Sequence, residues 1–262
     1  MATSNRPRAL VTGASVGIGK AFAEELARRG NDLVLVARNA TQLEELAESV
    51  SRKHAVDAEV LPADLLSADG VSKVAARWSS ESRVDVLINN AGRGAHAPFA
   101  SAPLEEHLGQ IDLNVRALVE LTHAALSVMV PRGSGSVLNV ASVAGFQPVP
   151  NESVYAATKA FVLTLTEGLY EELRGSGVKI TVLCPGFTRS EFQQRAGIES
   201  SHLPKFLWQE ASVVAVAGLD ALEAGKAVCV PGAHNKVLGG ITRVTPRSVV
   251  RASSGFVLRR FG

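Results

Sequence analysis

A tyrosine and a lysine stand four residues apart in the stretch SVYAATKAF, residues 153–161. If a helix begins there, Tyr155 and Lys159 share one face, with their side chains within about 6 Å of each other. A tyrosine with an unperturbed pKa of about 10 is a poor acid or base at neutral pH, but a neighbouring ammonium stabilises its phenolate. The pair could therefore donate a proton to a carbonyl that is being reduced, or accept one from an alcohol that is being oxidised.

The same spacing is common between neighbours on helix surfaces, so other polar residues decide the interpretation. Ser142 ends the strand predicted for 135–142, and its hydroxyl can hydrogen-bond a substrate oxygen. The sequence NNAG at 89–92 ends an earlier strand, and Asn114 lies in the helix predicted for 104–130. Ligands of open α/β sheets bind at the carboxyl edge of the strands, so these residues are expected near one site.

A glycine-rich stretch, LVTGASVGIGKA at 10–21, follows the first apolar run. It is not a P-loop, because Ala21 stands where a serine or threonine is needed, and its glycines do not follow the G-x-G-x-x-G spacing. The glycines are Gly13, Gly17 and Gly19. A turn of this kind between a strand and a helix places a diphosphate at the helix N-terminus, where free N–H groups and the dipole favour anions. We therefore predict a dinucleotide site.

The end of the second predicted strand, 32–37, indicates which dinucleotide binds. A site for NAD usually carries an acidic residue there, which holds the ribose 2′-hydroxyl. This chain has Ala37 at that position and Arg38 after it, and a guanidinium suits a 2′-phosphate. Ser15 in the glycine loop could add a hydrogen bond. The sequence thus predicts a preference for NADP(H), with NAD(H) as the alternative.

Apolar runs alternate with helical patterns along the whole chain, with no repeat and no dividing linker. Nearly continuous Val/Ile/Leu runs indicate strands buried on both faces. Strands are predicted at 9–12, 32–37, 58–64, 84–92, 135–142, 179–186 and 227–231, and helices at 17–29, 40–53, 104–130, 153–174 and 209–224. This order predicts a single α/β domain with a doubly wound parallel sheet between two helical layers.

Composition excludes several other classes of protein. At 262 residues, 46% hydrophobic and 20% charged, the chain suits one globular domain with a large core. Cys184 and Cys229 stand alone, which argues against a disulfide framework or a zinc site and suits a reducing compartment. We expect no metal site and no nucleic-acid partner. The N-terminus lacks the apolar core of a signal peptide, and a cytoplasmic location is predicted.

Together these motifs resemble the short-chain dehydrogenase/reductase superfamily, in its branch of small, single-domain, NADP-preferring subunits. The resemblance covers about residues 10–190, in the family's order. It is carried by TGASVGIG at 12–19, NNAG at 89–92, Asn114, Ser142, the Tyr155-x-x-x-Lys159 pair and Pro185-Gly186. It implies a Rossmann-like fold, carbonyl reduction or alcohol oxidation, and a homo-oligomer, dimer or tetramer.

The resemblance also implies roles for particular residues. Tyr155 would be the general acid–base, and Lys159 would lower its pKa and bind the nicotinamide ribose. Ser142 would polarise the carbonyl, and Asn114 would hold a water in a proton relay. The implied cofactor contacts are Gly13, Ser15, Gly17, Ile18, Gly19, Arg38, Asp64, Leu65, Asn90, Ala91, Gly92, Tyr155, Lys159, Pro185, Gly186, Thr188 and Ser190. Within that set, Asp64 and Leu65 would contact adenine, and Thr188 and Ser190 would lie near the carboxamide.

The region 187–208 is the family's variable substrate loop, and we expect it to be a lid. It mixes charges with apolar residues, which suggests a substrate with an apolar body, such as a ketone, a steroid-like compound or a fatty-acyl group. The apolar residues are Phe187, Phe192, Ile198, Leu203, Phe206, Leu207 and Trp208. A non-catalytic protein that senses a dinucleotide is the alternative function, although a sensor need not keep all four residues of the Asn-Ser-Tyr-Lys set.

The end of the chain is basic. After Glu223 there is no acidic residue, while seven lysines and arginines follow. The extension 234–262 is expected to include an amphipathic helix. Its charge suggests contact with a membrane surface or an anionic acyl carrier, and the alternative is a solvated or internally paired face.

Overall fold

The structure is a computed structural model. It describes residues 6–78, 83–192, 196, 207–233, 235–237, 240 and 245–261, and side chains are described only as far as residue 254 within the last of these ranges. Every statement below refers to these residues.

A seven-stranded parallel sheet forms the centre of the described fold, in the order β3-β2-β1-β4-β5-β6-β9. Its strands are β1 Arg8–Thr12, β2 Asp32–Ala37, β3 Ala58–Pro62, β4 Val86–Asn89, β5 Gly135–Val140, β6 Val178–Leu183 and β9 Val228–Cys229. The chain winds outward from β1 to β3, then returns to place β4 on the other side of β1. This reversal leaves a crevice at the carboxyl ends of β1 and β4, where doubly wound folds bind their ligands. The predicted fold class is confirmed.

Helices cover both faces of the sheet. The helices are α1 Gly17–Arg28, α2 Ala40–His54, α3 Ala68–Ala75, α4 Leu104–Ile111, α5 Leu118–Arg132, α6 Ser153–Glu172, α7 Ala211–Glu223 and α8 Arg247–Phe261. On one face, α1, α2 and α7 bury residues such as Phe22, Leu43 and Leu219. On the other face, α3 and α5 bury residues such as Val74 and Met129. The sheet is therefore covered on both sides, which explains its unbroken apolar strands.

Two helices differ from their predictions. Helix α3, Ala68–Ala75, was not predicted from the sequence. Ser67 caps it by accepting a hydrogen bond from the Gly70 N–H. The helix predicted to stop before Pro131 continues through Pro131 to Arg132. It ends at Gly133, whose φ of 69° is left-handed. A proline in the last turn forfeits one backbone hydrogen bond, and the glycine supplies the actual stop.

A short second sheet replaces the start of another predicted helix. Strand β7, Thr188–Arg189, pairs in parallel with β8, Gln209–Glu210. Helix α7 consequently begins at Ala211 rather than at residue 209. This pairing joins the two ends of the predicted lid.

The continuous helical stretch Leu104–Arg132 is long and apolar enough to cross a membrane by length and composition alone. Its residues Leu121, Ala125 and Met129 are fully buried in the core beneath the sheet. The stretch packs as a core helix of an α/β domain. Its middle, Asp112–Ala117, is a π-helical turn between α4 and α5, and that turn carries Asn114.

Candidate active site

The glycine loop connects β1 to α1 at the crevice. Gly13 and Gly17 adopt left-handed backbone conformations, with φ of 65° and 57°. Gly19 lies so close to the preceding turn that a Cβ would fall 2.0 Å from the Gly13 carbonyl oxygen. Only glycine fits these three positions, and the loop delivers the N-terminus of α1 to the crevice. The spacing that fails the common dinucleotide fingerprint therefore has its own geometric reason.

Asn90 fastens this loop to the end of β4. Its Nδ2 donates to the carbonyl oxygens of Thr12 and Gly13 at 2.9 and 3.2 Å. The backbone N–H groups of Asn90 and Ala91 both donate to Thr12 Oγ1 at 3.0 Å. The side chain of Asn90 thus stabilises the loop. A contact of Asn90 with a cofactor would therefore use its backbone.

Tyr155 and Lys159 lie in the first two turns of α6, and both are buried. Lys159 Nζ is 5.7 Å from the centroid of the Tyr155 ring and donates to the Val140 carbonyl oxygen at 2.9 Å. The structure therefore brings together the two side chains that the four-residue spacing places on one helix face. The bond to Val140 holds the ammonium at the carboxyl end of β5.

Burial dominates the electrostatics of this pair. It raises the pKa of Tyr155 well above its ordinary value, the nearby Glu152 charge acts in the same direction, and a hydrogen bond with Ser142 opposes both. Burial lowers the pKa of Lys159 from 10.5 to about 8. The loss of solvation is the largest effect on the pKa of Tyr155, and the expected lowering by the Lys159 ammonium remains a prediction. Tyr155 is therefore a protonated phenol at neutral pH, next to a lysine that is still mostly charged.

Ser142 follows β5 and begins a short 3₁₀ turn, Val143–Phe146. Its Oγ accepts a hydrogen bond from the Ala144 N–H at 3.1 Å, and it also bonds to the Tyr155 side chain. The turn packs directly on α6, because a Cβ on Gly145 would lie 2.8 Å from the Lys159 carbonyl carbon. This close approach positions the serine hydroxyl beside the phenol.

Asn114 is 1% exposed and uses its amide to hold the loop that follows β4. Its Nδ2 donates to the Arg93 carbonyl oxygen at 2.9 Å and to Thr158 Oγ1 at 3.0 Å. Its Oδ1 accepts from the Arg93 N–H at 2.9 Å. A Cβ on Gly92 would lie 3.2 Å from Asn114 Oδ1 and 3.4 Å from Lys159 Nζ, so the missing side chain leaves a gap between them. The relay water remains a prediction.

A second group of buried polar side chains lies deeper under the site, and no motif in the sequence predicts a role for it. Asn89 Nδ2 donates to Thr122 Oγ1 and to Asn139 Oδ1, both at 2.9 Å. Asn139 Nδ2 in turn donates to Thr166 Oγ1 at 3.0 Å. We call these four residues the inner amide cluster. It joins α5, β4, β5 and α6. The register that sets Asn89 opposite Asn139 across β4 and β5 is not visible in the sequence.

The residues proposed to select the cofactor lie at the other end of the crevice. Ala37 ends β2, and Arg38 is exposed after it, with no ion-pair partner among the described residues. Ser15 is half-buried in the glycine loop, and Ile18 packs against the core. Asp64 is exposed, and its Oδ1 accepts from the Leu66 N–H. An exposed guanidinium and a glycine-lined helix N-terminus are both groups that can bind phosphate oxygens.

Leu65 is the exception among the expected cofactor contacts, because its side chain is not free to reach a ligand. It is 6% exposed and packs in the core below the sheet. A contact of Leu65 with adenine would therefore use the backbone. No group of three or more histidine, cysteine, aspartate or glutamate side chains that could hold a metal ion is present in the part of the chain that the structure describes.

The segment after β6 crosses the glycine loop. A Cβ on Gly17 would lie 2.9 Å from Ser190 Cβ. Thr188 is buried, and its Oγ1 donates a hydrogen bond to the Gly186 carbonyl oxygen at 3.1 Å. Pro185, at the start of this segment, accepts a backbone hydrogen bond from Val143. The segment from Pro185 to Ser190 therefore connects the serine turn to the glycine loop.

Asn235 supports this segment, and nothing in the sequence marked it. It is 5% exposed, and its Nδ2 donates to Gln209 Oε1 at 3.0 Å and to the Pro231 carbonyl oxygen at 2.8 Å. Its amide also fills the space above Gly186, where a Cβ would meet it at 2.4 Å. A lone asparagine far along the chain carries no local motif, so only the tertiary contacts identify it.

The described part of the predicted lid lies on the site. The rings of Phe192 and Tyr155 have centroids 5.5 Å apart, and the Ala196 carbonyl oxygen accepts from the His96 N–H at 3.0 Å. Phe187 and Trp208 pack together with centroids 5.7 Å apart. Among the residues expected to be apolar lid positions, Ile198, Leu203 and Phe206 lie outside the described residues.

Comparison with known proteins identifies relatives of this arrangement. Among solved structures, the chain is similar to a short-chain dehydrogenase from Sphingobium yanoikuyae in complex with NADPH, with 35% identity and a TM-score of 0.81 over 92% of this chain and 97% of that one. It is also similar to the bulky-bulky ketone specific alcohol dehydrogenase from Comamonas testosteroni, with 31% identity and a TM-score of 0.79 over 94% and 97%. Sulfoacetaldehyde reductase 2 of Chromohalobacter salexigens is 39% identical over 186 residues, which are 70% of this chain and 73% of that protein.

A family model described as short chain dehydrogenase matches residues 7–200. The matched stretch is well over half of the chain and runs from β1 through the segment that crosses the glycine loop. It includes the buried tyrosine and lysine, the serine beside them and the asparagine of the π-helical turn. The chain is therefore an oxidoreductase that belongs to the short-chain dehydrogenase family.

Proposed function

We propose that the protein transfers a hydride reversibly between NADP(H) and a carbonyl or secondary alcohol. The observation that carries this proposal is the buried Tyr155 phenol, hydrogen-bonded to Ser142 and 5.7 Å from the Lys159 ammonium. These groups lie at the carboxyl edge of the sheet, beside the glycine loop. When bound, the nicotinamide dinucleotide supplies the hydride for reduction and takes it up in oxidation.

The side chains supply the rest of the reaction. Ser142 and Tyr155 hydrogen-bond the carbonyl oxygen and polarise the bond. As the carbonyl carbon gains a hydride, Tyr155 gives its proton to the oxygen, so that the carbonyl becomes an alcohol and the tyrosine a phenolate. Lys159 stabilises that phenolate by its positive charge. The raised pKa of Tyr155 keeps the phenol protonated before reduction begins.

Removal of the tyrosine hydroxyl tests this mechanism. Tyr155→Phe should lower turnover by on the order of 10²–10⁴-fold and leave cofactor affinity in place, because the hydroxyl is the proton donor. Tyr170→Phe is the matched control: Tyr170 is the second of the two tyrosines, and its hydroxyl donates to the Gly225 carbonyl oxygen away from the site. Assays of reduced-nicotinamide absorbance with ketones and alcohols give the rates. A Tyr155→Phe rate near that of Tyr170→Phe would remove Tyr155 from the mechanism.

The same assay separates an enzyme from a dinucleotide sensor. The buried Tyr155–Lys159 pair favours an enzyme, because a protein that only bound the dinucleotide would not need a protonated phenol beside a serine hydroxyl. Cofactor binding without turnover of any carbonyl or alcohol would favour the sensor instead.

The preference for NADP(H) is supported by Ala37 and by the exposed Arg38, which has no ion-pair partner among the described residues. The Sphingobium relative was solved with NADPH. We expect NADPH to bind on the order of 10- to 100-fold more tightly than NADH, since a charge-assisted hydrogen bond contributes about 1.5–3 kcal/mol. The double variant Ala37→Asp/Arg38→Leu should reduce or invert this ratio in fluorescence titrations of both cofactors. Equal wild-type affinities would make NAD(H) the better assignment.

The substrate that we propose is a small ketone or its alcohol with an apolar body. Phe187, Phe192 and Trp208 line the described part of the segment that covers the site. A relative of known structure is specific for bulky-bulky ketones. Region 187–208 would act as a lid within one domain spanning 1–262.

Assembly and the basic extension are further parts of this proposal. Exposed apolar side chains line α4 and the helix that continues it, which suits burial in a homodimer or tetramer. They include Leu104, Leu108, Ile111, Val119 and Val128. The extension 234–262 would contact an anionic acyl carrier or membrane surface, and we propose a cytoplasmic location. Deletion of 244–262 should weaken such contact more at low than at high salt.

A further inference from the structure

Phe192 is wedged between the candidate proton donor and a glycine. Its ring centroid lies 5.5 Å from that of Tyr155, with the planes tilted by 44°. A Cβ built on Gly94 would lie 3.0 Å from Phe192 Cζ and 3.3 Å from Tyr155 Cδ2. Three elements therefore meet at one point: the loop after β4, the start of α6 and the segment after β7.

Hydrogen bonds fix the two segments that meet there. The His96 N–H donates to the Ala196 carbonyl oxygen at 3.0 Å, and the Ala196 N–H donates to the Phe192 carbonyl oxygen at 2.9 Å. Ala196 is 5% exposed, so this connection is shielded from water. These two hydrogen bonds thereby tie the Phe192 backbone, by way of Ala196, to the loop that carries Gly94.

The position of the carbonyl group makes this wall important. A carbonyl oxygen bound by Ser142 and Tyr155 leaves two substituents on its carbon, which extend to opposite sides. The nicotinamide, expected beside the glycine loop and Ser190, must cover one flat face of the carbonyl carbon, so neither substituent points toward it. Phe192 and the loop that carries Gly94 adjoin Tyr155, so they bound the space into which one of the two substituents extends. A substituent in that space must fit against the Phe192 ring.

We propose that Phe192, backed by Gly94, determines the size of the ketone substituent that the site accepts. This inference depends on the proposed function, and it assigns to Phe192 the role of limiting the size of the substrate. Gly94 does not have the left-handed backbone that only glycine tolerates, so the space beside Phe192 and Tyr155 is what excludes a side chain there.

Phe192→Ala tests the wall directly. Acetophenone presents a methyl group on one side of its carbonyl, whereas benzophenone presents phenyl rings on both sides. We therefore compare kcat/KM for benzophenone with kcat/KM for acetophenone, and we expect this ratio to rise at least about tenfold in the variant. The reason is that each methylene that a pocket accommodates or rejects changes selectivity by about 10- to 200-fold. Phe161→Ala, which removes a 42% exposed phenylalanine from α6, is the matched control and should leave the ratio unchanged.

A double-mutant cycle separates this role from a merely structural one. In Gly94→Ala the new methyl group presses on Phe192 and Tyr155, and we expect kcat/KM for both ketones to fall about 3- to 30-fold. Adding Phe192→Ala should restore most of that loss, because the shorter side chain frees the space. Phe192→Leu should give an intermediate ratio and serves as the test if the alanine variant does not fold.

The outcomes are distinct for the inference and for the proposed function. A rise in the ratio together with rescue in the double variant supports the inference. Turnover of acetophenone by the wild type with a ratio that changes less than twofold in Phe192→Ala and Phe192→Leu overturns the inference and leaves the proposed function standing. Wild-type protein that binds NADPH and reduces neither these ketones nor any other carbonyl overturns both.

Discussion

Two groups of buried polar side chains lie along β5 and α6, and burial changes the pKa values in only one of them. The inner amide cluster contains only amides and hydroxyls, and Asn139 and Thr166 are fully buried. The candidate catalytic group contains a phenol and an ammonium, which are 8% and 5% exposed. In the first group burial shifts no pKa, because nothing titrates. In the second it raises the pKa of Tyr155 and lowers that of Lys159.

This difference shows that buried polarity alone does not mark an active site. The inner amide cluster matches amide donors to hydroxyl and carbonyl acceptors, although Asn89 Oδ1 has no hydrogen-bond partner among the described residues. Such a network joins elements of the core. A buried ammonium bonded to one carbonyl oxygen is instead costly for folding, and shifted pKa values such as those of Lys159 and Tyr155 are typical of catalytic sites. Substitutions in the two groups should therefore have opposite signatures.

Lys159→Met should have the largest effect, and it should fall on catalysis. Loss of the ammonium that stabilises the phenolate should lower kcat by on the order of 10²–10⁴-fold. Thermal unfolding should show a protein at least as stable as the wild type, since a buried charge is removed. Turnover measured with NADPH and any accepted ketone checks this. A variant that retains activity and unfolds readily would place Lys159 with the structural group.

Asn139→Leu should give the reverse signature. The change keeps the volume and leaves Thr166 Oγ1 and Asn89 Nδ2 each without one partner, so it should lower the free energy of unfolding by about 2–4 kcal/mol. Because the hydrogen bonds of the Asn139 side chain go to Asn89 and Thr166, kcat per folded molecule should stay within about threefold of the wild type. Urea unfolding and active-site titration measure the two quantities. A large fall in kcat with unchanged stability would break the comparison.

The pH dependence of stability should distinguish the groups by a smaller amount. The pKa of Lys159 is lowered from 10.5 to about 8 on folding, so below pH 8 both states are protonated and the burial penalty is fully present. Between these values the folded state loses its proton while the unfolded state keeps it, so stability rises with pH. The wild type should therefore gain up to about 3 kcal/mol relative to Lys159→Met between pH 7 and 11. Asn139→Leu should show no such trend relative to the wild type in the same denaturation series.

The smallest expected effect concerns one hydroxyl of the inner amide cluster. Thr166→Val should cost about 1–2 kcal/mol of unfolding free energy, because the Asn139 amide loses its acceptor in a fully buried place. Thr164→Val, on the exposed face of the same helix, is the matched control and should stay within about 0.5 kcal/mol of the wild type. Equal effects of the two changes in calorimetry would show that the network contributes little.

The elements and motifs that the sequence predicts correctly are those whose physics is local. All seven strands of the main sheet were predicted, because each is a short apolar run between turn residues. The meeting of Tyr155 and Lys159 follows from the pitch of one helix. The glycine loop is also local, since Gly13 and Gly17 need backbone angles that other residues rarely adopt. The missed helix Ala68–Ala75 is short, and its stability depends on packing that a single segment does not reveal.

The tertiary structure decided everything that depends on partners distant along the chain. Asn89 and Asn139 are fifty residues apart, and only the pairing of β4 with β5 makes them one network. Phe192 meets Gly94 only because the segment after β7 folds back over the loop after β4. The net rise in the pKa of Tyr155 could not be predicted from the sequence for the same reason. Spacing along a helix places the ammonium nearby, but the loss of solvation comes from every element packed around the phenol, and that loss is the largest effect on its pKa.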